Sequence, residues 1–250
     1  MRIVFLGVGE AVDLELSNTC LLLEDQGRLL VMDCGFSAAP RILANCRQAN
    51  ALDAVWVSHL HGDHCFGLPQ LLLGLRQLGR DRPLNIVCGR GGRQRVLQLL
   101  AQAYPNLLRG LGFELIFRQV QPGQSLELLD MDWAFAQTEH PEPNLALGLH
   151  SGGKSIYFSG DGKSGAAGLE LARGCDLLVH EAYLLQPGVP GHSSVQECLE
   201  LGRQCGAKQL ALVHIQMQER RSRRADILQA VQSVSGLQAW MPEPDQELWI

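Results

Sequence analysis

The sequence predicts an α/β (α+β) chain folded as a four-layer αββα sandwich. Three observations predict it. Short strand-like runs bounded by turns fill both halves of the chain. Helical stretches follow strands in each half, and apolar residues make up 46% of the 250 positions, enough for a sizeable core. Strands that need cover on two faces, with helices in both halves, suggest two packed sheets with helices outside.

The elements follow in order. Ile3–Leu6 and Thr19–Glu24 are apolar runs that read as strands, and Asp25-Gln26-Gly27 turns the chain into a third, Arg28–Asp33. A helix is expected over Ala38–Gln48, then a buried strand at Ala54-Val55-Trp56-Val57. Pro69–Leu78 reads as a helix with proline in its first turn, where the missing N–H is harmless. Leu84–Cys88 is a strand and Gly91–Ala103 a helix ending near Pro105. Phe113–Val120, Ser125–Leu129 and Trp133–Thr138 read as an antiparallel meander. Leu145–His150 and Ser155–Ser159 form a hairpin across Gly152-Gly153. Leu177–His180 (strand), Ser193–Cys205 (helix), Gln209–Val213 (strand), Arg223–Val234 (helix), Leu237–Met241 and Glu247–Ile250 complete the chain. No linker or repeat divides it, and 1–250 is read as one domain.

Composition excludes several classes. The net charge of −5 offers no broad basic field for nucleic acid or an anionic membrane. The first residues lack the pattern of a signal peptide, and the run Leu68–Leu78 is too short and too interrupted to span a bilayer. Cysteines 20, 34, 46, 65, 88, 175, 198 and 205 are scattered without a C-x-x-C pair, which fits a reduced, cytoplasmic protein. Cys65 stands apart because it follows His64 directly.

The chemistry concentrates in His59-Leu60-His61-Gly62-Asp63-His64, which follows the buried strand. A lone surface histidine usually means nothing, but three imidazoles and a carboxylate in six residues do not bury cheaply without a partner. His59 and His61 are two residues apart, so in an extended chain they face one side and reach one metal. Asp63 and His64 come after a glycine-permitted turn and reach a second metal, about 3.5 Å away as in two-metal hydrolases. Nitrogen and carboxylate donors suit zinc first, with manganese or iron as alternatives. Three more donors end apolar runs: His140 after Trp133–Thr138, Asp161 after Ser155–Gly160, and His214 after Gln209–Val213. Strand ends that meet at one sheet edge can assemble such a site.

In this order and context, the six-residue cluster, His140, Ser159-Gly160-Asp161 and Val213-His214-Ile215 resemble the motifs of the metallo-β-lactamase superfamily. Asp33 in Met32-Asp33-Cys34-Gly35 resembles its early aspartate, which orders the metal loop. The resemblance spans nearly the whole chain. It implies the metallo-β-lactamase type of αββα sandwich, with His59, His61 and His140 holding one metal, Asp63, His64 and His214 the other, and Asp161 shared. His180-Glu181-Ala182-Tyr183, Gly191-His192-Ser193-Ser194 and the run His61–Pro69 are similar to segments of tRNase Z. There a glutamate and histidine, here Glu181 and His192, protonate the leaving oxygen. A carboxylate beside an imidazole fixes its tautomer and favours its protonated form, as a general acid requires.

Two departures narrow the branch. The tRNA-gripping arm of tRNase Z would fall between His140 and Asp161, where only a tight hairpin fits, and Gly148-Leu149 stands where a glycine-tyrosine pair is frequent. The expectation is therefore an arm-less phosphodiesterase acting on a cyclic nucleotide or other small phosphodiester. A hydroxide held by two metals attacks, Asp63 orients it, and Glu181–His192 donates the proton. The alternatives are an RNA 3′-end endonuclease of ribonuclease Z type, a thioesterase or lactam hydrolase, and a non-catalytic carrier on the same fold. A homodimer is an assembly the resemblance allows. Arg220–Arg224 reads either as a phosphate or RNA contact or as a solvated helix start. His150, Ser17, Asn18 and Gly9 carry no independent signal.

Overall fold

The computed structural model describes residues 1–46 and 48–250. Chain order is β1 (Arg2–Gly7), β2 (Cys20–Asp25), β3 (Arg28–Met32), α1 (Ala38–Asn45), β4 (Leu52–Val57), α2 (Gly62–Cys65), α3 (Leu68–Gln77), β5 (Leu84–Gly89), α4 (Gly92–Ala103) and β6 (Leu115–Val120). Then follow β7 (Ser125–Leu128), β8 (Met131–Glu139), β9 (Leu145–Ser151), β10 (Lys154–Phe158), β11 (Lys163–Ser164), α5 (Ala166–Leu171) and β12 (Leu177–Glu181). The chain closes with α6 (Val195–Cys205), β13 (Gln209–Val213), α7 (Met217–Ser222), α8 (Arg224–Ser233), β14 (Gln238–Trp240) and β15 (Gln246–Trp249).

Among the described residues one sheet runs β15-β1-β2-β3-β4-β5-β6 and the other β11-β8-β9-β10-β12-β13-β14, with β7 paired to β8. Alternate residues of each strand serve different layers. Ile3, Phe5, Leu21, Leu23 and Trp56 of the first sheet meet Trp133, Phe135, Leu147, Phe158 and Val179 of the second in the central core. The opposite face of the first sheet buries Val55, Val57 and Ile86 against Ala39 and Ile42 of α1, Leu71, Leu72 and Leu75 of α3, and Val96 of α4. The second sheet buries Tyr157, Leu178 and Leu212 under Val195 and Leu199 of α6 and Ile227 of α8. The result is the αββα sandwich.

Parallel pairing places the site. β3, β4, β5 and β6 run parallel, as do β10, β12, β13 and β14. Their carboxyl ends therefore share an edge of each sheet, where ligands gather in α/β folds.

Three expectations change. The meander holds only from β7 through β9: β6 leaves the α4 crossover to pair parallel with β5 in the other sheet. A strand–helix–strand connection returns the chain to the sheet it left. The helix expected over Ala38–Gln48 stops at Asn45, where the Cys46 N–H bonds the Ile42 carbonyl and the chain turns extended. Residue 47 of that expectation lies outside the described residues, and Gln48 is not helical. Helices α2, α5 and α7 span four to six residues, too few for a period to register.

Candidate metal centre

The cluster begins with a kink. Asp33, directly after β3, adopts φ 61°, a left-handed conformation unusual for aspartate. That turn aims its carboxylate at the next strand. Oδ1 accepts the Ser58 N–H at 2.8 Å, and Oδ2 accepts the Ser58 hydroxyl at 2.7 Å and faces His64 Nδ1 at 2.8 Å. The loop after β4 is thus tied to β3, and His64 is left with Nε2 for other work. His61 precedes α2 in an extended conformation, and its carbonyl accepts the N–H groups of His64 and Cys65. This tight turn separates His59 and His61 from Asp63 and His64.

Asp161 sits at the centre. Its Oδ2 lies 3.7 Å from His59 Nε2 and 3.8 Å from His140 Nε2. Its Oδ1 lies 3.4 Å from His64 Nε2 and 3.5 Å from His214 Nε2. Asp63 Oδ2 lies 3.2 Å from both His64 Nε2 and His214 Nε2. Two groups of donors result, His59–His61–His140–Asp161 and Asp63–His64–Asp161–His214, each with ligand atoms within 4.8 Å of one another. Asp161 belongs to both.

The donors are held from behind. His140 Nδ1 donates to the Glu142 carbonyl at 3.0 Å, and His59 Nδ1 lies 3.1 Å from the Ser58 hydroxyl. Asn144 accepts the Asp161 N–H and donates to the Ser159 carbonyl, while the Thr138 hydroxyl donates to the Asp161 carbonyl at 2.6 Å. His214 takes a positive φ of 58° at the end of β13, and its N–H bonds the Val8 carbonyl.

Electrostatics follow from this crowding. Burial opposes the charge on Asp161, but His214 and His64 outweigh it and hold its carboxyl well below the usual range. Asp63 is lowered in the same way by His214 and His64 against its burial. Burial lowers His214, yet Asp161 and Asp63 raise it to about 9. Burial, with His64 nearby, drives His59 well below its ordinary value.

The donor set fits divalent metal ions. His59 Nε2, His64 Nε2 and Asp161 Oδ1 are buried polar atoms without a hydrogen-bond partner among the described residues. Buried polar groups normally find partners, and three unpartnered ones aimed at a common point call for a cation. Nitrogen and carboxylate donors without thiolate are hard to borderline ligands. Cys65 is absent from both groups: it packs in the outer core of the first sheet, where burial pushes its thiol up to about 12.

Beside the cluster stands a third group, Glu181–His192–His214. Glu181 is fully buried at the end of β12, and its Oε1 accepts the N–H groups of Ser193 and Gly162. His192 Nδ1 approaches Oε1 at 3.4 Å, an ion-pair distance without the geometry of a formed hydrogen bond. The His192 ring stacks on Tyr183 at 4.7 Å and lies 5.3 Å from His140. His180 points away and binds the Ser164 hydroxyl through Nε2.

Other sequence candidates lie outside the cluster. His150 is exposed at the far end of β9, whose first residue, Leu145, bonds the Ser58 carbonyl beside the site. Gly9 and Asn18 bridge to each other, and Asn18 bonds Ser37. The arginine run starts helices and is paired: Arg220 with Asp13 and Glu15, Arg221 with Glu15, Arg223 with Asp226, Arg224 with Glu243. Sequence reading missed Ser58, Thr138, Asn144 and Tyr183. Nothing in their spacing marks them, because each acts through contacts made only in the fold.

Residues 1–233 match the family model described as Anti-Pycsar protein Apyc1. Ribonuclease Z of Methanosarcina acetivorans is 25% identical over 270 aligned residues, covering 86% of this chain and 87% of that protein. The metallo-β-lactamase fold protein YhfI from Bacillus subtilis superposes with a TM-score of 0.83 at 19% identity, covering 99% of both chains. The short form of human tRNase Z superposes with a TM-score of 0.81 at 22% identity, covering 100% of this chain and 99% of that one. The sandwich is therefore of the metallo-β-lactamase type.

Proposed function

Because the chain belongs to the family described as Anti-Pycsar protein Apyc1, and is a metal-dependent hydrolase of the metallo-β-lactamase fold, we propose that it cleaves phosphodiesters at a dinuclear centre. One observation carries the reading: each oxygen of Asp161 faces a different set of imidazoles, with a carboxylate–imidazole pair alongside. Residues 1–250 are taken as one metallo-hydrolase domain, since both sheets supply donors.

His59, His61, His140 and Asp161 would hold one ion, and Asp63, His64, His214 and Asp161 the other. Two bound divalent ions, zinc first with manganese or iron as alternatives, supply an acidified water and neutralise charge on a phosphate. Asp33 fixes the His64 ring, and the Glu142 carbonyl fixes that of His140. Asp63, with an oxygen beside both His64 and His214, also orients the attacking water. His192, with Nδ1 turned to Glu181, keeps Nε2 to protonate the leaving alkoxide.

Two substrates divide the reading. The similarity to ribonuclease Z supports RNA better than a small diester. The small-diester reading draws on a specific observation: β9 and β10 pair directly across Gly152-Gly153, leaving no arm between His140 and Asp161.

Metal-loaded protein is expected to hydrolyse bis(p-nitrophenyl) phosphate. Asp161→Ala should lose metal and turnover together, whereas His192→Ala should keep its metal and lose about 10²–10⁴ in kcat. Full activity in His192→Ala would remove the general-acid assignment. Inert protein holding two ions would redirect the reading to thioesters, lactams or a carrier role.

A further inference from the structure

A cavity of about 240 Å³ opens beside the cluster, between the carboxyl ends of β4, β5 and β6 and the segment leading into β9. His59 and Leu60 form one wall, so it abuts the first group of metal donors. It is smaller than the roughly 300–1,000 Å³ of a site that takes a whole small molecule. Its size suits one appendage of a substrate held elsewhere. Leu60, Pro122 and Pro143 give it apolar surface, and Gln121 and Gln137 supply donors and acceptors.

Two arginines, Arg90 and Arg95, line the cavity although the chain as a whole carries a charge of −5. Arg95 pairs with Glu142 across it. Arg90 is exposed and has no ion-pair partner among the described residues, unlike the fully paired arginines 220, 221, 223 and 224. A guanidinium left open next to a phosphodiester site has the charge and planar donor set to bind a further phosphate.

We propose that this cavity is a subsite for the nucleoside adjoining the scissile bond, with Arg90 and Arg95 binding that nucleoside's own phosphate. The inference rests on the phosphodiesterase reading and gives it a substrate class: an oligonucleotide strand. A cyclic mononucleotide has one phosphate, which the metal donors would take, leaving the arginines nothing to bind.

The test compares UpU, which has one phosphate, with UpUpUpU, whose bonds have charged neighbours, using manganese-loaded wild type, Arg90→Gln and Arg90→Lys. Wild type should favour the tetramer by about tenfold or more in kcat/KM, as a charge-assisted phosphate contact provides. Arg90→Gln should shrink that ratio and Arg90→Lys restore part of it. Equal rates on the two substrates, a ratio unmoved by Arg90→Gln, or faster turnover of 3′,5′-cyclic UMP than of the tetramer would overturn the subsite. Bis(p-nitrophenyl) phosphate is run in parallel. Should it and both uridylates resist hydrolysis, the hydrolase reading falls on its own. Fluorescence anisotropy of labelled UpUpUpU then decides the subsite: weaker binding by Arg90→Gln upholds it, and equal binding rejects it.

Discussion

Asp33 makes no approach to the donor groups of the centre except through His64, yet it holds a strained φ of 61° and three contacts to the metal loop. Strain of this kind persists where surrounding structure compels it. Asp33→Asn keeps a residue that tolerates the left-handed region but removes the charge that fixes His64. Metal affinity should fall about 10–100-fold, the usual cost of losing a ligand's supporting partner, as read by competition with a chromophoric chelator. Unchanged affinity would mean that Asp33 serves only the turn. His214 carries a pH dependence with a definite sign. Its folded pKa, about 9, lies above the ordinary value of 6.5. In metal-free protein its stabilising contribution is therefore full below about pH 6.5 and lost as pH rises through about 9. A protonated imidazole cannot ligate, so metal must displace that proton, and metal affinity should climb across the same window. Calorimetric titration in buffers of different ionisation heat should count the released protons, and proton-free binding would contradict the assignment.

At the scale of elements, α2 and α6 deliver the reactive groups, and each has one weak point. A β-carbon on Gly35 would overlap the Asp63 carbonyl oxygen, so Gly35→Ala pushes α2 away and with it Asp63 and His64. Overpacking of this sort costs about 1–3 kcal/mol, and metal analysis should find the second ion depleted before the first. Helix α6 begins with a capping box in which Ser194 and Glu197 satisfy each other's backbone N–H groups. Ser194→Ala should cost about 1 kcal/mol in chemical unfolding, with metal content intact. Both helices were legible to different degrees. The run Ser193–Cys205 has a helical period and a cap, so it read as a helix. Four residues of α2 have no period, and only the chemistry of His59–His64 marked the place. The strand β6 was visible but its partner was not, because pairing depends on where the α4 crossover returns the chain.

Over the whole molecule, the seven proposed ligands were named from short motifs at strand ends, since a carboxyl-end position can be read wherever an apolar run stops. What holds them could not be read. Ser58, Thr138 and Asn144 act through contacts between separate strands. Tyr183 meets His192 only after the chain has looped back from β12 to α6. The two sheets bring their donors together across the central core, so chelation should loosen the entire sandwich. Metal removal is expected to lower Tm in proportion to metal concentration over its dissociation constant, and a metal-independent Tm would place the donors outside the folded assembly. The central claim is that catalysis needs both ions joined by Asp161. The most direct measurement is turnover of bis(p-nitrophenyl) phosphate while metal-free protein is titrated with zinc or manganese. Activity that emerges as the second equivalent binds is the predicted result; full turnover at one equivalent, or none at two, would contradict it.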